Sequence, residues 1–557
     1  MDLHTALHAH FGHAEFRPPQ EEVVRTVLAG RDVLVLMATG EGKSLCFQLP
    51  ALLRDGVTLV VSPLIALMED QVAGLRARRL PATCIHSQIE RGEREARMAA
   101  VQGGTVRLLY VTPERFRVAG FLESLRPVRI AHLAVDEAHC VSQWGHDFRP
   151  DYTRLGAMRE ALGNPPCIAL TATATPRVQA DIAAQLRLRD PVCFHTGVER
   201  TNLYLGVHEV AAEDDKEAIA ARRLGEVGGP AIVYFALIRD LLRVEGSFRR
   251  RGLRPLVYHG DLGPGERKDQ QARFQAEPAP LILATNAFGL GIDKPDIRLI
   301  LHWQVPRTLE AYYQEVGRAG RDRLGSVCEL LYLEQDLAIQ REFTEWANPD
   351  REFLGRVSAH LAHLEPERLR ALAADDLRAV FLGRNRHDGR VETCLRLLRT
   401  AGCLEGEFER DLAWVRTPTP DEISAWLPED KRENDLRALL AMVRYARATS
   451  CRKRIVHEYF GFAGPESGCG SCDHCVGFAE WIDRELPAQR RHPVLVLASS
   501  GVRRGDWLEI QGLGLCEVLR VLDGGATPRV DVEVAESLER RSVDLRRTPW
   551  RRIDARG

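Results

Sequence analysis

The chain has 557 residues, enough for about three or four domains of ordinary size. Its 76 lysines and arginines nearly balance its 78 aspartates and glutamates, and the formal net charge is −2. A globally basic surface is therefore excluded, and any nucleic acid must bind at local basic patches. The sequence contains no apolar run of about 18 residues and starts without a signal-peptide pattern, which predicts a soluble cytoplasmic protein.

A loop with two glycines follows the apolar run 33–36, which has the composition of a strand buried on both faces of a parallel sheet. The candidate nucleotide-binding residues of this loop are Thr39, Gly40, Gly42, Lys43 and Ser44. Backbone N–H groups around the glycines can surround phosphate oxygens, Lys43 can reach the β- and γ-phosphates, and the Ser44 hydroxyl can bind Mg²⁺. Met37 replaces the first glycine of the consensus G-x-x-x-x-G-K-[ST], so an ordinary strand-to-helix turn is an alternative.

The segment before this loop, 11–20, has loop composition and precedes a predicted helix over 21–28. The side-chain amide of Gln20 offers both a donor and an acceptor, as recognition of an adenine edge requires. Taken as an isolated segment, these residues favour the alternative of a helix-capping loop.

Further apolar runs alternate with helix-like segments, which predicts a parallel α/β sheet. The runs at 58–61, 108–111 and 133–135 each lead into a polar motif. Ligands of such sheets bind beyond the carboxyl ends of the strands, so these motifs are candidate site residues. After the third run, Asp136 can hold Mg²⁺ and Glu137 can orient or deprotonate an attacking water, although a pair of solvated acids is the alternative.

The next stretch, 141–150, alternates large aromatic residues with polar and cationic ones, unlike a plain core helix. Its candidate nucleic-acid contacts are Trp144, Phe148 and Arg149, because aromatic rings stack on bases. Beside the acidic pair, such a loop would couple strand binding to hydrolysis. The hydroxyls of the threonine-rich segment 171–175 are predicted to link the acidic pair to a second domain.

The α/β pattern restarts near residue 229 and predicts a second parallel sheet without a phosphate loop of its own. Its apolar runs lie at 231–235, 256–259, 281–284 and 299–301. Arg318 and Arg321 are three residues apart and can present both guanidinium groups toward a γ-phosphate. Such arginine fingers raise a hydrolysis rate about 10³- to 10⁵-fold, whereas the alternative for these residues is a solvated basic face.

Together these motifs resemble the RecQ family of superfamily-two DNA helicases. The matching stretches are 16–18 with Gln20, 136–139, 143–150, 314–315 and 317–322. The resemblance assigns adenine recognition to Arg17 and Gln20, Mg²⁺ binding and water activation to Asp136, Glu137 and His139, and the arginine-finger motif to Gln314, Arg318 and Arg321.

Two positions depart from the family pattern within the similar region, which runs from residue 1 to about 335. His13 stands where relatives have the aromatic residue that stacks on adenine, and Val316 stands where they usually have threonine. The aromatic-rich loop separates this family from RNA-directed DEAD-box helicases. The resemblance implies ATP-driven movement from 3′ to 5′ on single-stranded DNA.

A cysteine cluster near residue 470 has the spacing C-x17-C-x2-C-x2-C and consists of Cys451, Cys469, Cys472 and Cys475. Four thiolates so spaced can surround a tetrahedral Zn²⁺, and disulfides are not expected in a cytosolic chain. The cluster also resembles the zinc subdomain of the family, which implies a structural metal. Other cysteines stand singly in apolar runs, as Cys46, Cys167 and Cys193 do, and are predicted to act as small hydrophobic residues.

The stretch between 340 and 430 is longer than the family pattern requires. Predicted helices over 374–381 and 390–400 and a strand over 412–415 favour a winged helix-turn-helix, with a plain helical spacer as an equal alternative. Three arginines there can meet phosphates: Arg390, Arg396 and Arg399. The helix before the cysteine cluster is predicted to pack through Leu436, Leu439, Leu440 and Val443.

After a linker-like stretch at 488–491, short apolar runs separated by glycines predict a small β-barrel. These runs lie at 494–497, 507–510, 516–522, 530–534 and 543–545. The tail carries Trp550 among arginines, namely Arg540, Arg541, Arg546, Arg547, Arg551 and Arg552. Either nucleic-acid binding or a solvated edge explains it. The sequence assigns no residue to strand separation.

We therefore predict an α/β fold with two tandem RecA-like domains and three further parts. The predicted boundaries are 1–200 and 201–340 for the RecA-like domains, 341–430 for a helical, winged-helix-like insertion, 431–488 for a zinc subdomain and 489–557 for a small C-terminal β domain. The predicted protein is an ATP-dependent DNA helicase of the bacterial-type cytosol or nucleoid, which uses ATP, Mg²⁺ and Zn²⁺ and acts on single-stranded and duplex DNA in repair or recombination. An RNA helicase and an ATP-driven DNA-binding sensor that separates no strands are the alternatives.

Overall fold

The structure is a computed structural model. It describes residues 2–38, 40–118, 120–142, 144–145, 149–289, 292, 294–383, 388–406, 408, 411–427, 429–486, 507–521, 529–535, 537–545, 548 and 550–553. The chain divides into two compact units. The first unit comprises Met1–Arg200, Val305–Gly317 and Glu334–Cys469, and the second comprises Thr201–Gln304, Arg318–Leu333 and Gly470–Gly557.

A seven-stranded parallel sheet forms the centre of the first unit. Its strands are β1 Val33–Leu36, β2 Val57–Val61, β3 Ala82–Ile85, β4 Leu108–Val111, β5 Ile130–Val135, β6 Cys167–Thr171 and β7 Val192–His195, in the order β3-β4-β2-β5-β6-β1-β7. Its helices are α1 Leu3–Phe11, α2 Gln20–Leu28, α3 Leu45–Leu53, α4 Ile65–Ala77, α5 Arg91–Gln102, α6 Phe121–Leu125, α7 Leu155–Ala161 and α8 Pro176–Gln185. Alternate residues of β1 belong to two separate apolar cores, one on each face, as an unbroken apolar strand requires.

The predicted strands of this sheet are confirmed, but one cysteine prediction is wrong. Cys46 and Cys167 are buried, whereas Cys193 is exposed. Cys193 lies on β7, which is the outer strand next to β1, and the side chains of β7 alternate between partly buried and exposed positions. An outer strand presents one row of side chains to solvent. The apolar composition around Cys193 therefore did not mean that this residue is buried.

The second unit contains the second predicted parallel sheet, which has six strands. They are β8 Leu203–Glu209, β9 Ala231–Phe235, β10 Leu256–Tyr258, β11 Leu281–Thr285, β12 Leu299–His302 and β13 Ser326–Tyr332, in the order β10-β11-β9-β12-β13-β8. The helices between them are α9 Glu213–Val227, α10 Ile238–Arg250 and α11 Pro264–Ala276. Four of these strands were predicted, and β8 and β13 extend the sheet beyond the prediction.

The first unit also contains a helical region. Its elements are α12 Leu309–Val316, α13 Leu337–Ala347, α14 Arg351–Ala362, α15 Pro366–Arg370, α16 Ala374–Leu382, α17 Arg390–Thr400, β14 Leu404–Glu405, β15 Ala413–Trp414, α18 Pro420–Trp426, α19 Glu429–Arg447 and α20 Arg452–Tyr459. The predicted helices α16 and α17 and the predicted strand β15 are present, and β14 pairs antiparallel with β15. Helices α14 to α17 and this hairpin share one apolar core, and the choice between a winged helix and a plain helical spacer stays a prediction.

The predicted packing face of α19 is confirmed at Leu439 and wrong at Leu436 and Leu440. Leu436 and Leu440 are 42% and 47% exposed, whereas Leu439, Met442 and Tyr445 are buried. The buried face of α19 is rotated about the helix axis relative to the predicted face. The reason is that Met442 and Tyr445 also contribute apolar surface, which the predicted spacing did not include. Although α19 has 19 residues, many are charged, and within the described part of the chain no helix is long and apolar enough to cross a membrane.

The second unit ends with α21 Phe478–Glu485 and a five-stranded antiparallel sheet. The strands are β16 Trp507–Ile510, β17 Gly514–Val521, β18 Arg529–Val534, β19 Arg540–Asp544 and β20 Trp550–Ile553, in the order β19-β18-β17-β16-β20. Within the described residues β19 does not pair with β20, so a closed barrel is not formed. The predicted run 494–497 lies outside the described residues.

The predicted arginine-rich tail is part of this sheet rather than a tail. Arg551 and Arg552 belong to β20, which pairs antiparallel with β16. Arg540 and Arg541 begin β19 and form ion pairs with Glu533 and Glu539. The predicted run 543–545 overlaps β19, whereas the adjacent arginines of β20 hid that strand from the sequence prediction. Arg546 and Arg547 lie outside the described residues.

Candidate functional site

The phosphate loop lies at the carboxyl end of β1, between β6 and β7. The Met37 N–H donates to the Thr171 carbonyl over 3.1 Å, which extends the sheet into the loop. Lys43 Nζ donates to the Met37 carbonyl over 3.2 Å, so the lysine folds back across its own loop. Ser44 precedes α3, whose N-terminal end adds a positive dipole there. Thr39 lies outside the described residues.

Side chains from the start of α2 and from the segment before it hold the backbone of the phosphate loop. Buried Gln20 donates through Nε2 to the carbonyls of Glu41 and Gly42, both over 3.1 Å, and accepts at Oε1 from the Arg17 N–H. Arg17 Nη1 in turn donates to the Gly40 carbonyl over 3.0 Å. Gly42 has φ +84°, and a Cβ there would lie 2.6 Å from Gln20 Nε2, so only glycine fits. The Gln20 amide is thus engaged with the loop, and its contact with adenine stays a prediction.

The acidic pair lies at the carboxyl end of β5. Asp136 is buried, and this burial, with the neighbouring charge of Glu137, raises its pKa to about 7 against the opposing effect of Lys43. The Glu137 N–H donates to Asp136 Oδ1 over 3.0 Å, and the buried Tyr152 hydroxyl donates to the Asp136 carbonyl over 3.1 Å. A buried carboxyl that retains its proton near neutrality is suited to a cation, whose charge would favour the ionised form.

Exchange of Asp136 for asparagine is expected to raise the melting temperature of the nucleotide-free protein at pH 8. The folded chain retains the Asp136 proton up to about pH 7, whereas an unfolded aspartate loses it near 3.8. Stability therefore falls as the pH rises between these values and stays lowered above them, and asparagine removes that loss. Thermal unfolding of both proteins in buffer without magnesium or nucleotide, at pH 5 and pH 8, measures it. Equal melting temperatures of the parent and the Asp136→Asn variant at pH 8 would contradict a loss of stability from the ionised, buried Asp136.

His139 connects the acidic pair to β6. Its Nδ1 lies 2.9 Å from Thr171 Oγ1 and 3.3 Å from Glu137 Oε2. Thr171 Oγ1 also donates to the Thr173 carbonyl over 3.1 Å and accepts from the Thr173 N–H over 3.3 Å, so this hydroxyl joins His139 to the threonine-rich segment. The structure thus brings together the acidic pair and the threonine-rich segment, as predicted. Their connection to a second domain stays a prediction.

The aromatic-rich loop is described at Trp144, Gly145 and Arg149, while Phe148 lies outside the described residues. Arg149 Nη1 donates to the Pro63 carbonyl over 3.0 Å, a contact that fixes the loop. The guanidinium carbon of Arg177 lies 3.5 Å from the Trp144 ring centroid, a cation–π contact. Sequence reasoning missed Arg177, because nothing in the composition of α8 signals a partner 33 positions earlier in the chain.

The two predicted arginine fingers are both bound within the second unit. Arg318 is buried and donates to the Gly289 carbonyl, and Arg321 Nη1 donates to the Ile292 carbonyl over 2.8 Å. A Cβ at Gly289 would lie 2.5 Å from Arg318 Nη2, so a side chain there would displace the Arg318 guanidinium from its present position. Gln314 lies on α12, which ends two residues before Arg318. Their action on a nucleotide stays a prediction.

The four predicted cysteines come together. The ligand atoms of Cys451, Cys469, Cys472 and Cys475 all lie within 4.8 Å of one another. Cys451 immediately precedes α20, and the Cys475 N–H donates to the Cys472 carbonyl over 2.9 Å in a tight turn. Four thiolates in one cluster are the ligand set that structural Zn²⁺ takes.

The segment around Cys472 also pairs with β8. The Leu205 N–H donates to the Ser471 carbonyl over 3.1 Å, and the Asp473 N–H donates to the Leu205 carbonyl over 3.0 Å. Asp473 Oδ2 accepts from the Val207 N–H over 3.0 Å. The cysteine segment thus extends the second sheet by a short parallel bridge.

Exchange of Cys472 for serine is expected to release the metal and lower the melting temperature, because structural zinc contributes on the order of 10 kcal/mol to folding. Metal content by atomic absorption and thermal unfolding by circular dichroism test it. The exposed Cys193, exchanged for serine, is the matched control and should change neither quantity. Full zinc content and parental stability in the Cys472 variant would rule out this ligand set.

Three family models match the chain. A DEAD/DEAH box helicase model matches residues 17–182, a helicase conserved C-terminal domain model matches 216–323, and a RecQ zinc-binding model matches 416–476. The first match covers the phosphate loop and the acidic pair, the second covers both predicted fingers, and the third covers the cysteine cluster.

Curated relatives are similar over most of the chain. An ATP-dependent DNA helicase RecQ of a Synechocystis species is 37% identical over 498 residues, which cover 86% of this chain and 98% of that protein. A Bacillus subtilis protein of the same name is 35% identical over 479 residues, covering 85% and 67%. The ATP-dependent helicase wrn-1 of Caenorhabditis elegans is 44% identical over 346 residues, covering 60% and 32%.

Solved structures share the fold at low sequence identity. Mss116p bound to single-stranded RNA and AMP-PNP is 16% identical with a TM-score of 0.51, and the match covers 79% of this chain and 90% of that one. The helicase MrfA bound to DNA is 16% identical with a TM-score of 0.51, covering 75% and 63%. These likenesses support two RecA-like domains.

Proposed function

The chain belongs to the RecQ family of ATP-dependent DNA helicases, and we propose that it moves from 3′ to 5′ along single-stranded DNA and separates duplex DNA in repair or recombination. The observation that carries the proposal is the RecQ zinc-binding match at 416–476 in the same chain as two helicase matches. Bacterial relatives support a location in the cytosol or nucleoid, where the DNA substrate lies.

In the nucleotide site, the loop backbone would surround the phosphates of ATP. The proposed contacts are Arg17 and Gln20 for adenine, and Thr39, Gly40, Gly42, Lys43 and Ser44 for the phosphates and Mg²⁺. Mg²⁺ supplies positive charge at the phosphate oxygens, and Ser44 with Asp136 would hold it. The hydrogen bonds of Gln20 to the loop support a link between adenine recognition and loop conformation.

Glu137 is proposed to orient and deprotonate the attacking water. His139 Nδ1 lies 3.3 Å from Glu137 Oε2 and 2.9 Å from Thr171 Oγ1, so the imidazole is close enough to favour one orientation of the carboxylate. Arg318 and Arg321 are proposed to stabilise charge on the γ-phosphate, with Gln314 beside them along the chain. Both arginines must then exchange their present carbonyl partners for phosphate oxygens.

Single-stranded DNA is proposed to bind at the aromatic-rich loop, with Trp144 and Phe148 stacking on bases and Arg149 supporting the loop. Trp144 is only partly buried, which leaves ring surface for a base. Only the short helix Ala138–Val141 separates the acidic pair from the loop along the chain. Binding of a DNA strand at the loop can therefore affect activation of the water. Duplex DNA is the second proposed partner.

Exchange of Trp144 for alanine is expected to leave ATP binding intact while reducing the stimulation of ATP turnover by single-stranded DNA. Stacking of one base on an aromatic ring contributes about 1–3 kcal/mol, which is roughly a 5- to 150-fold effect. Phosphate release with and without DNA measures the stimulation, and a fluorescent ATP analogue measures binding. The Trp144→Phe variant retains an aromatic face and should retain most of the stimulation. Equal stimulation in the alanine variant and the parent would count against the loop's role.

Unwinding of tailed duplexes tests the proposed function as a whole. We expect ATP-dependent separation of a DNA duplex with a 3′ single-stranded tail and none with a 5′ tail. RNA duplexes with the same tails distinguish an RNA helicase. ATP turnover without separation of any duplex would instead indicate a DNA-binding sensor, and either outcome would overturn the proposal.

A further inference from the structure

Two consecutive residues of α19 contact two different parts of the first unit. Asn434 Oδ1 accepts a hydrogen bond from Arg177 Nη1 over 3.2 Å. Asp435 Oδ2 accepts one from Arg307 Nη2 over 2.7 Å. Because both acceptors lie in one turn of a 19-residue helix, a displacement at one contact moves the other.

The first contact leads to the aromatic-rich loop. Arg177 lies between Asn434 and Trp144, with its guanidinium carbon 3.5 Å from the centroid of the indole ring. A base and a guanidinium cannot occupy the same ring face. A base that stacks on the face covered by Arg177 therefore displaces this arginine and alters its contact with Asn434.

The second contact leads to the helix that carries Gln314. Arg307 lies two residues before α12, and Asp435 also accepts from Asn348 Nδ2 over 2.8 Å. A buried hydrogen bond of 3.1 Å between the hydroxyls of Tyr445 and Tyr312 joins α19 directly to α12. The position of α19 thus sets the position of α12, and the chain leaves α12 toward Arg318.

We propose that α19 transmits the occupancy of the aromatic-rich loop to α12 through the contacts of Asn434 and Asp435. These two are positioning residues for DNA-stimulated hydrolysis, and they act through Arg177 and Arg307 rather than on ATP. The inference rests on the proposed function. It adds a route through α19 to the direct route along the chain from Trp144 to the acidic pair.

The test compares two carboxylate-to-amide variants on the same helix. Asp435→Asn removes the charge that Arg307 meets. Glu433→Gln removes the charge of an exposed ion pair with Arg437, 2.6 Å long, that lies within α19 itself. Coupling between sites typically amounts to about 5- to 150-fold. We therefore expect Asp435→Asn to lower the DNA-stimulated kcat at least about fivefold, with the KM for ATP and the DNA affinity within about twofold. Glu433→Gln should match the parent.

Three further measurements distinguish transmission through α19 from a merely structural role of Asn434 and Asp435. Melting temperatures show whether the variants fold, and Asp435→Glu, which restores the charge, should recover most of the kcat. In a double-mutant cycle, Asn434→Ala combined with Asp435→Asn should lose no more stimulation than the more severe single variant, because both interrupt one route.

The outcomes distinguish this inference from the function on which it rests. Absence of DNA-stimulated turnover in the parent would overturn both. Normal stimulation in the parent, together with an unchanged kcat in Asp435→Asn or fully additive losses in the cycle, would overturn the α19 route alone.

Discussion

Replacement of Lys43 by alanine is expected to abolish ATP turnover, whether or not single-stranded DNA is present. Lys43 is the cation of the phosphate loop, and its Nζ lies 3.2 Å from the Met37 carbonyl, within the curve of the loop. Loss of one group that stabilises transition-state charge typically costs about 10²- to 10³-fold in rate. Release of inorganic phosphate measures the loss.

The control for this variant is Lys268→Ala, which removes an exposed lysine from α11. It should turn over ATP like the parent. Turnover by the Lys43 variant at the parental rate would mean that this loop does not bind the phosphates of ATP.

Replacement of Arg318 by alanine is expected to lower kcat about 10³-fold or more while ATP affinity changes little. A finger acts on charge that develops in the transition state, so its loss affects turnover rather than ground-state binding. Steady-state turnover and equilibrium binding of a nucleotide analogue separate these two effects.

Arg318 is also buried and donates to the Gly289 carbonyl, so alanine leaves a carbonyl without its donor at a cost of about 1–3 kcal/mol. Arg318→Lys retains the charge without the planar fork, and a large loss of kcat in this variant as well would show that fork geometry is needed. Exposed Arg323, exchanged for alanine, is the control. Parental kcat in both Arg318 variants would exclude the finger role.

The parallel sheets and the cysteine cluster could be predicted from the sequence because local signals determine them. Unbroken apolar runs such as 58–61 can be satisfied only by burial on both faces, and C-x2-C spacing brings thiolates together in one turn. The phosphate loop was predictable for the same reason, since Gly42, Lys43 and Ser44 are contiguous.

The remaining features depend on partners distant in the chain. Neither the helix α8 nor α19 contains a signal that joins Arg177 to Trp144 and Asn434. The face of α19 was partly mispredicted because the prediction used only the spacing of the aliphatic residues. Met442 and Tyr445 are also buried, and they shift the packing face away from Leu436 and Leu440. The last strand was missed because paired arginines on an antiparallel sheet resemble a solvated tail.

The bridge between the cysteine segment and β8 gives the metal a second consequence. β8 is an outer strand of the second sheet, and the carbonyl and N–H of Leu205 are occupied by Ser471 and Asp473. An outer strand with free backbone groups is a template for pairing with other chains. By holding the cysteine segment against β8, metal binding therefore also protects the backbone groups of this outer strand from pairing with other chains. A shortage of zinc would then cause the helicase to aggregate rather than to unwind DNA more slowly.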